Sequence, residues 1–381
     1  MKIETFACPL GGDAQELADW LTARFFIMLD RWIDNEPILS KDSPYNNFKE
    51  QLGNTKGWSS LWRPELGVVN TALSKDEFSQ ERRAIRCQLD IVKYLSGLVS
   101  ELAIDVYTKF EFTVSGRQIA PGRLQVLGAQ DEFIIVSRDK ATEIKYEYKK
   151  IRLSKEFTVW LSDTCEVISH QDWFLAMCVP GSKWYEYWGG ERILNSYSVD
   201  FQEFVRSLLE VLDVLNHYIP EYKQWVSLLV REFTPLLSAG KGSDSASFKN
   251  FPGHIHFSIP YSVSSGIVTM IHESSHQFFN LLEWNMQLVK NDIEIYSILK
   301  NSHRPLLKVL LGYHAFANAL IGLVILRDRG FFDQDYDRVF NHTCELVNSL
   351  GKSIENVGLE NLTEIGMSLY LPLRSTVNDI V

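Results

Sequence analysis

The 381-residue sequence lacks the hallmarks of several protein classes. Its formal net charge is −10, and it contains no basic stripe of the kind that binds nucleic acid. An acidic surface also disfavours adsorption to anionic membranes. No run reaches the ~18 apolar residues of a membrane span, and the N-terminus has no apolar core of signal length. These absences predict a protein with neither a nucleic-acid partner nor a membrane partner.

Paired cysteines are missing as well. The chain has five cysteines, and no two of them are spaced as Cys-x-x-Cys. An odd number of widely separated cysteines argues against a disulfide framework. Reduced thiols are typical of the cytosol, so we predict a cytoplasmic protein.

The hydrophobic and charged fractions, 45% and 23%, are ordinary for a globular protein. A domain typically has about 100–200 residues, so the length favours two domains or one large one. Helical spacing of apolar residues occurs at 13–34, 75–110, 201–218, 222–237, 264–284 and 304–327, and in two further stretches up to the C-terminus. β-Branched and aromatic residues indicate strands over 118–162 and at 254–259.

These patterns predict an α+β fold that is predominantly helical. The strand-rich segment lies in the middle, and a zincin-like metal-site helix lies in the C-terminal half. We place a boundary near residue 195, between a mixed region 1–195 of unknown role and a helical, metal-binding catalytic region 196–381. We expect a long loop at 35–66. The aromatic, glycine-rich segment 181–192 fits core packing better than a substrate-facing loop.

The most specific motif is His272-Glu273-Ser274-Ser275-His276. Residues four apart share one helix face, so both imidazoles can bind one ion. Glu273 lies beside them and can reach a metal-bound water or a ligand. Apolar neighbours indicate a buried helix, whereas the alternative is an exposed helix that carries these residues by chance. We predict a metal centre with His272 and His276 as ligands and Glu273 as the catalytic carboxylate.

A catalytic ion needs a third protein ligand. The longer metzincin motif would have Gly and His where this chain has Phe279 and Leu282. A thermolysin-like site would need a carboxylate on the next helix, but residues 295–327 contain no Asp or Glu. His314 lies on the apolar stripe of that helix and is our predicted third ligand. The remaining candidates are His303, Glu294 and Glu283.

Two further histidines, His254 and His256, alternate along the predicted strand before the motif helix, so their side chains share one face of it. In zincin-like folds such a strand borders the cleft. A contact with substrate is one interpretation, and a structural role is the favoured one.

Several short motifs together resemble one family, the HExxH-type, 2-oxoglutarate-dependent peptide β-hydroxylases found with ribosomally made, modified peptides. The resemblance covers roughly residues 250–330. The motifs that carry it are Pro252-Gly253, His272-Glu273-Ser274-Ser275-His276-Gln277, Tyr296-Ser297, Arg304-Pro305-Leu306 and Gly312-Tyr313-His314-Ala315-Phe316.

The resemblance implies Fe(II) and 2-oxoglutarate as cofactors and a precursor peptide as substrate. His272 and His276 would bind the iron, with Glu273 as a carboxylate in or near its ligand shell. Arg304 matches the family's Arg-Pro element and would bind a 2-oxoglutarate carboxylate, for which the guanidinium fork is well suited. The family often has a His where this chain has Leu311, and His314, three residues later on the same face, is its expected substitute.

Two other functions fit the same motif. One is a Zn(II)-dependent peptidase in which Glu273 is the general base. The other is a peptide-binding module with a vestigial metal site. The missing downstream carboxylate, the Arg304-Pro305 element and the lack of a secretory signal favour the hydroxylase.

Overall fold

In the computed structural model of the chain, the described residues are 3–34, 56–67, 69, 82–109, 112–114, 117–129, 132–139, 142–152, 158–161, 165–170, 173–178, 199–237, 244–258 and 260–380. They form a mixed α and β fold in which helix exceeds strand, so the predicted α+β class is confirmed. The segment 181–192 and most of the predicted loop 35–66 lie outside the described residues.

Long helices dominate both ends of the described chain. In chain order the α-helices are α1 Glu4–Ala7, α2 Gln15–Ile33, α3 Arg82–Leu95, α4 Val199–Tyr218, α5 Pro220–Leu229, α6 Val263–Asn285, α7 Leu306–Asp328, α8 Tyr336–Asn356 and α9 Glu364–Ile380. Short 3-10 helices lie at Pro9–Gly11, Trp58–Leu61 and Leu359–Asn361. The predicted helices at 13–34, 201–218, 264–284 and 304–327 are confirmed, as are the two near the C-terminus.

The strands form two larger sheets and two hairpins. One sheet is an antiparallel meander in the order β1-β4-β5-β6-β7, and the other has the order β11-β12-β10-β9-β8. The pairs β2–β3 and β13–β14 are separate hairpins. The strands are β1 Glu101–Thr108, β2 Phe112–Val114, β3 Arg117–Ile119, β4 Gly122–Ala129, β5 Glu132–Asp139, β6 Thr142–Arg152, β7 Thr158–Leu161, β8 Cys165–His170, β9 Trp173–Cys178, β10 Glu232–Leu236, β11 Ser245–Ala246, β12 His254–Ser258, β13 Glu294–Ser297 and β14 Ser302–Pro305.

Two predicted helices are wrong in their second halves. The helix predicted over 75–110 ends at Leu95, and Gly97 follows with a left-handed φ of 76°. Leu102 and Ile104 then lie on strand β1, because their period-two spacing pairs with β4. The helix predicted over 222–237 ends at Leu229, and the next residues form the buried central strand β10. Pairing with two neighbouring strands outweighs the local helical spacing there.

The apolar side chains pack into two clusters. The main core joins the N-terminal helices α1 and α2 to the helices and strands after residue 200. The sheet core lies between α3 and the meander. Helix α3 serves both, with Ile85 and Leu89 in the main core and Ile91 and Tyr94 in the sheet core. The main core thus draws on residues from both sides of position 195, and the boundary predicted there stays a prediction.

Helices α6 and α7 form the packed pair that carries the candidate site. Helix α6 begins after Ser262, whose side chain accepts a hydrogen bond from the Ser265 N–H at 3.2 Å. A Cβ at position 322 would lie 2.5 Å from Ile271 Cδ1, so any larger residue there would displace the Ile271 side chain. The two helices therefore pack closely beside the motif.

Helix α7 is long and apolar enough to cross a membrane by length and composition alone. However, 83% of its most apolar window is buried inside the protein, as expected of a core helix. Its apolar character is explained by packing.

Candidate metal centre

His272 and His276 point at the same place from adjacent turns of α6. Their Nε2 atoms are 3.0 Å apart. Two nitrogens that bind one ion at about 2.1 Å and at right angles are separated by about this distance. The i, i+4 spacing therefore produces the convergence that the sequence predicts. The Phe316 ring of α7 packs on His272 with centroids 4.3 Å apart, which shields that imidazole from solvent.

Glu273 completes a group of three. The ligand atoms of His272, Glu273 and His276 all lie within 4.8 Å of one another, and this is the one such group among the described residues. Glu273 is 3% exposed, and its Oε1 accepts a hydrogen bond from the Ser245 hydroxyl at 2.7 Å. Its Oε2 is buried and accepts no hydrogen bond from the described residues. An orphaned carboxylate oxygen beside two imidazoles is a donor set that fits a divalent cation.

Burial shifts the pKa of all three side chains. Burial lowers the pKa of His272 to about 4. Burial, and after it the neighbouring His272, lowers the pKa of His276 well below its ordinary value. Both imidazoles are therefore neutral at neutral pH, the form that binds metal. Burial raises the pKa of Glu273 to about 7, and hydrogen bonds from Ser245 and Ser247 oppose that rise. A bound cation would favour the ionised carboxylate.

His314 lies close to these residues but outside the group of three. Its Nε2 is 2.8 Å from the carbonyl oxygen of Phe6 in α1, so Nε2 carries the proton and donates it. Asn318, one turn later, donates to the carbonyl of Ala7 at 2.7 Å. Together they tie the N-terminal helix to α7. The assignment of His314 as third ligand stays a prediction.

The other candidate ligands are also outside the group. Glu283 is joined to Lys249 by an ion pair of 2.5 Å. Glu294 and His303 are exposed residues of the β13–β14 hairpin. The structure therefore brings together His272, His276 and Glu273, and it does not bring these three alternatives to them.

Arg304 is half-buried on β14, opposite Ile295 of β13. No salt bridge joins it to a carboxylate within the described part of the chain, so the guanidinium is available to an anionic ligand. Lys308, in the first turn of α7, is near enough for its charge to lower the pKa of His276, after burial and the two neighbouring histidines. The N-terminal end of α7 thus places the positive charge of Lys308 near the site.

His254 and His256 are both fully buried on β12. The Nε2 of His254 is 2.9 Å from the hydroxyl of Thr234, and its Nδ1 is 3.6 Å from a carboxylate oxygen of Glu232. Burial lowers the pKa of His254 to about 3, so the ring is neutral and the contact with Glu232 is not an ion pair. These contacts within the sheet favour the structural role.

One contributor to the site was missed by the sequence reasoning. Ser245 lies 28 positions before Glu273, in a segment rich in Gly, Ser and Lys that has no chemical motif. Its role depends on β11 forming the antiparallel edge of the sheet beside α6. The only local signal was the predicted strand at 254–259, which became β12. A strand that pairs with β12 at the sheet edge, as β11 does, also lies beside the motif helix.

Comparison with known proteins adds no family. No family model matches the chain, and no curated protein matches it either.

Proposed function

We propose that this protein is an Fe(II)- and 2-oxoglutarate-dependent oxygenase that hydroxylates a side-chain β-carbon of a ribosomally synthesised peptide. The observation that carries the proposal is the group of two half-buried imidazoles and one buried carboxylate on α6. Two histidines and one carboxylate with open positions are the ligand set of non-haem Fe(II) oxygenases. The antiparallel edge strand β11 beside α6 supports a zincin-like arrangement around that group.

The chain's own residues have distinct roles in this proposal. His272 and His276 hold the ion, and Glu273 supplies the carboxylate. Arg304 binds the far carboxylate of 2-oxoglutarate through its guanidinium fork. Phe316 covers His272 and limits the access of water. When bound, the iron supplies oxygen activation: O₂ and 2-oxoglutarate are consumed, one oxygen enters a C–H bond of the peptide, and succinate and CO₂ leave.

The test is anaerobic loading with Fe(II), followed by addition of O₂ and 2-oxoglutarate. We expect succinate release that requires both Fe(II) and 2-oxoglutarate, and a mass gain of one oxygen in a precursor peptide supplied with the reaction. His272→Ala is the matched control and should release no succinate. Succinate release that persists in His272→Ala, or none from the wild-type protein loaded with iron, would contradict the proposal.

A Zn(II) peptidase is the second candidate, and the pKa of Glu273, about 7, favours it. A general base works best when its pKa is near the working pH. In that case Glu273→Gln keeps the metal and abolishes amide hydrolysis. Shorter peptides in the mass spectrum of a Zn(II)-loaded reaction would support the peptidase. If the protein binds metal but catalyses neither reaction, the remaining interpretation is a peptide-binding module with a vestigial metal site.

A further inference from the structure

We infer that Ser245 is a positioning residue that makes Glu273 the third protein ligand of the metal. The inference rests on the proposed function and deepens it, because it names the residue that orients the Glu273 carboxylate toward the metal. It starts from one contact, the 2.7 Å hydrogen bond from the Ser245 hydroxyl to Oε1 of Glu273.

That hydrogen bond leaves the two carboxylate oxygens in different surroundings. Oε1 accepts the serine hydroxyl, while Oε2 is buried and accepts nothing from the described residues. A buried polar atom without a partner is costly unless a cation or water completes it. One carboxylate oxygen of Glu273 and one ring nitrogen of each histidine lie within 4.8 Å of one another, so a cation held by the histidines would also be within reach of this carboxylate.

The backbone around Ser245 is fixed against α6 by further contacts. The Ser247 hydroxyl donates to the carbonyl oxygen of Glu273 at 3.0 Å. Lys249 pairs with Glu283, about three turns further along the helix, at 2.5 Å. Residues 245–249 are therefore attached to α6 at both ends, so the Ser245 hydroxyl has a defined place relative to the histidines.

In this arrangement Glu273 is the metal ligand, and Ser245 is the hydrogen-bond donor that holds the ligand in place without touching the metal. Metal-binding carboxylates are commonly hydrogen-bonded in turn, and loss of such a partner typically lowers metal affinity by roughly 10–100-fold. Without the Ser245 hydroxyl, the Glu273 carboxylate loses the hydrogen bond to Oε1, so its orientation toward the ion would be held less firmly. We therefore expect the hydroxyl at position 245 to affect metal affinity even though it does not touch the metal.

The experiment is a Co(II) titration of the purified protein followed by visible absorbance, repeated with Fe(II) under anaerobic conditions. We expect Ser245→Ala to bind Co(II) roughly tenfold to a hundredfold more weakly and to show an altered absorbance spectrum, because one ligand is lost or displaced. Ser245→Thr keeps the hydroxyl and should restore most of the affinity. Glu273→Gln should weaken binding at least as much as Ser245→Ala.

Ser274→Ala is the matched control. This buried serine is on the same helix, and its hydroxyl bonds to the Met270 carbonyl at 2.7 Å instead of to Glu273. It should bind Co(II) as the wild type does. Thermal unfolding of each metal-free variant checks that the fold is kept.

The outcomes separate this inference from the proposed function. Wild-type affinity in Ser245→Ala, or loss of metal in His314→Ala with full binding in Glu273→Gln, would overturn the role of Ser245 and leave the metal enzyme standing. Failure of the wild type to bind Co(II) or Fe(II) at all would overturn both. Weak binding in Ser245→Ala, recovery in Ser245→Thr and no change in Ser274→Ala would support it.

Discussion

The main core and the sheet core differ in what they bury besides hydrocarbon. Between residues 82 and 152, the buried polar side chains among those described are Gln88, Thr108 and Ser137, none of them charged. Residues 254–318 bury three histidines as well as Glu273. Burying a titratable group costs free energy, so a cluster of buried titratable groups is a candidate for a chemical task. The comparison teaches that the described part of the sheet core serves stability, whereas the candidate site lies in the part of the molecule that is built on the main core.

The largest expected effect is loss of the metal. His272→Ala or His276→Ala removes one ligand of a sparse set, so metal affinity should fall by well over the roughly hundredfold typical of losing an outer partner. Equilibrium dialysis with metal analysis measures this, and turnover should disappear in parallel. Stoichiometric iron in either variant would show that the metal site is elsewhere. It would also contradict the contrast drawn between the main core and the sheet core.

The next effect belongs to the sheet core. Phe133 is fully buried between Tyr94 and Tyr148, with ring centroids 5.3 Å and 5.0 Å away. Phe133→Ala should lower the free energy of unfolding by about 3–5 kcal/mol, because it leaves a cavity. Chemical denaturation measures the loss, and Tyr107→Ala, 64% exposed on β1, should change little. Metal affinity per folded molecule should stay the same, and a large drop in it would mean that the two cores are coupled.

Arg304→Ala should raise the 2-oxoglutarate requirement while iron stays bound. Loss of one charge-assisted, bidentate contact is worth about 1.5–3 kcal/mol, or roughly tenfold to a hundredfold in affinity. Arg304→Lys should recover little of it, because an ammonium cannot reproduce the fork. Succinate release against 2-oxoglutarate concentration measures the effect.

Arg138→Ala removes the same charge from the exposed meander and is the control. An equal shift in both variants would point to net charge alone and would remove the role assigned to Arg304.

The smallest effect is a pH dependence. Burial lowers the pKa of His254 to about 3 in the folded protein, against about 6.5 when unfolded. Below pH 6.5 His254 binds a proton in the unfolded chain but stays neutral in the folded protein. The contribution of His254 to the free energy of unfolding is therefore fully present above that pH and is lost as the pH falls. His254→Gln should flatten this decline by up to about 1.4 kcal/mol per pH unit.

Urea unfolding at several pH values between 4.5 and 7.5 measures that slope in both proteins. His256, whose pKa is lowered mainly by burial, contributes in the same direction and keeps part of the slope in the variant. Phe133→Ala should shift stability equally at every pH, because the sheet core buries no histidine among the described residues. Identical slopes in wild type and His254→Gln would contradict the assignment.

The sequence alone determined the features that depend on local spacing. The motif helix and α7 lie close to where apolar periodicity predicted them. His272 and His276 converge because residues four apart share a helix face in any α-helix. The strands over 118–162 were likewise predictable from the sequence, since consecutive β-branched residues favour an extended backbone.

Tertiary structure decided what depends on distant parts of the chain. Residues 232–236 became a strand because β9 and β12 pair with them on either side. The hydroxyl of Ser245 reaches Glu273 across 28 positions, and His314 reaches the carbonyl of Phe6 across 308. Helical and strand periodicities are properties of neighbouring residues, whereas the partner of a buried polar atom is chosen by how whole elements pack. For that reason the sequence predicted that His272, Glu273 and His276 share one helix, and only the fold decided which distant groups contact them.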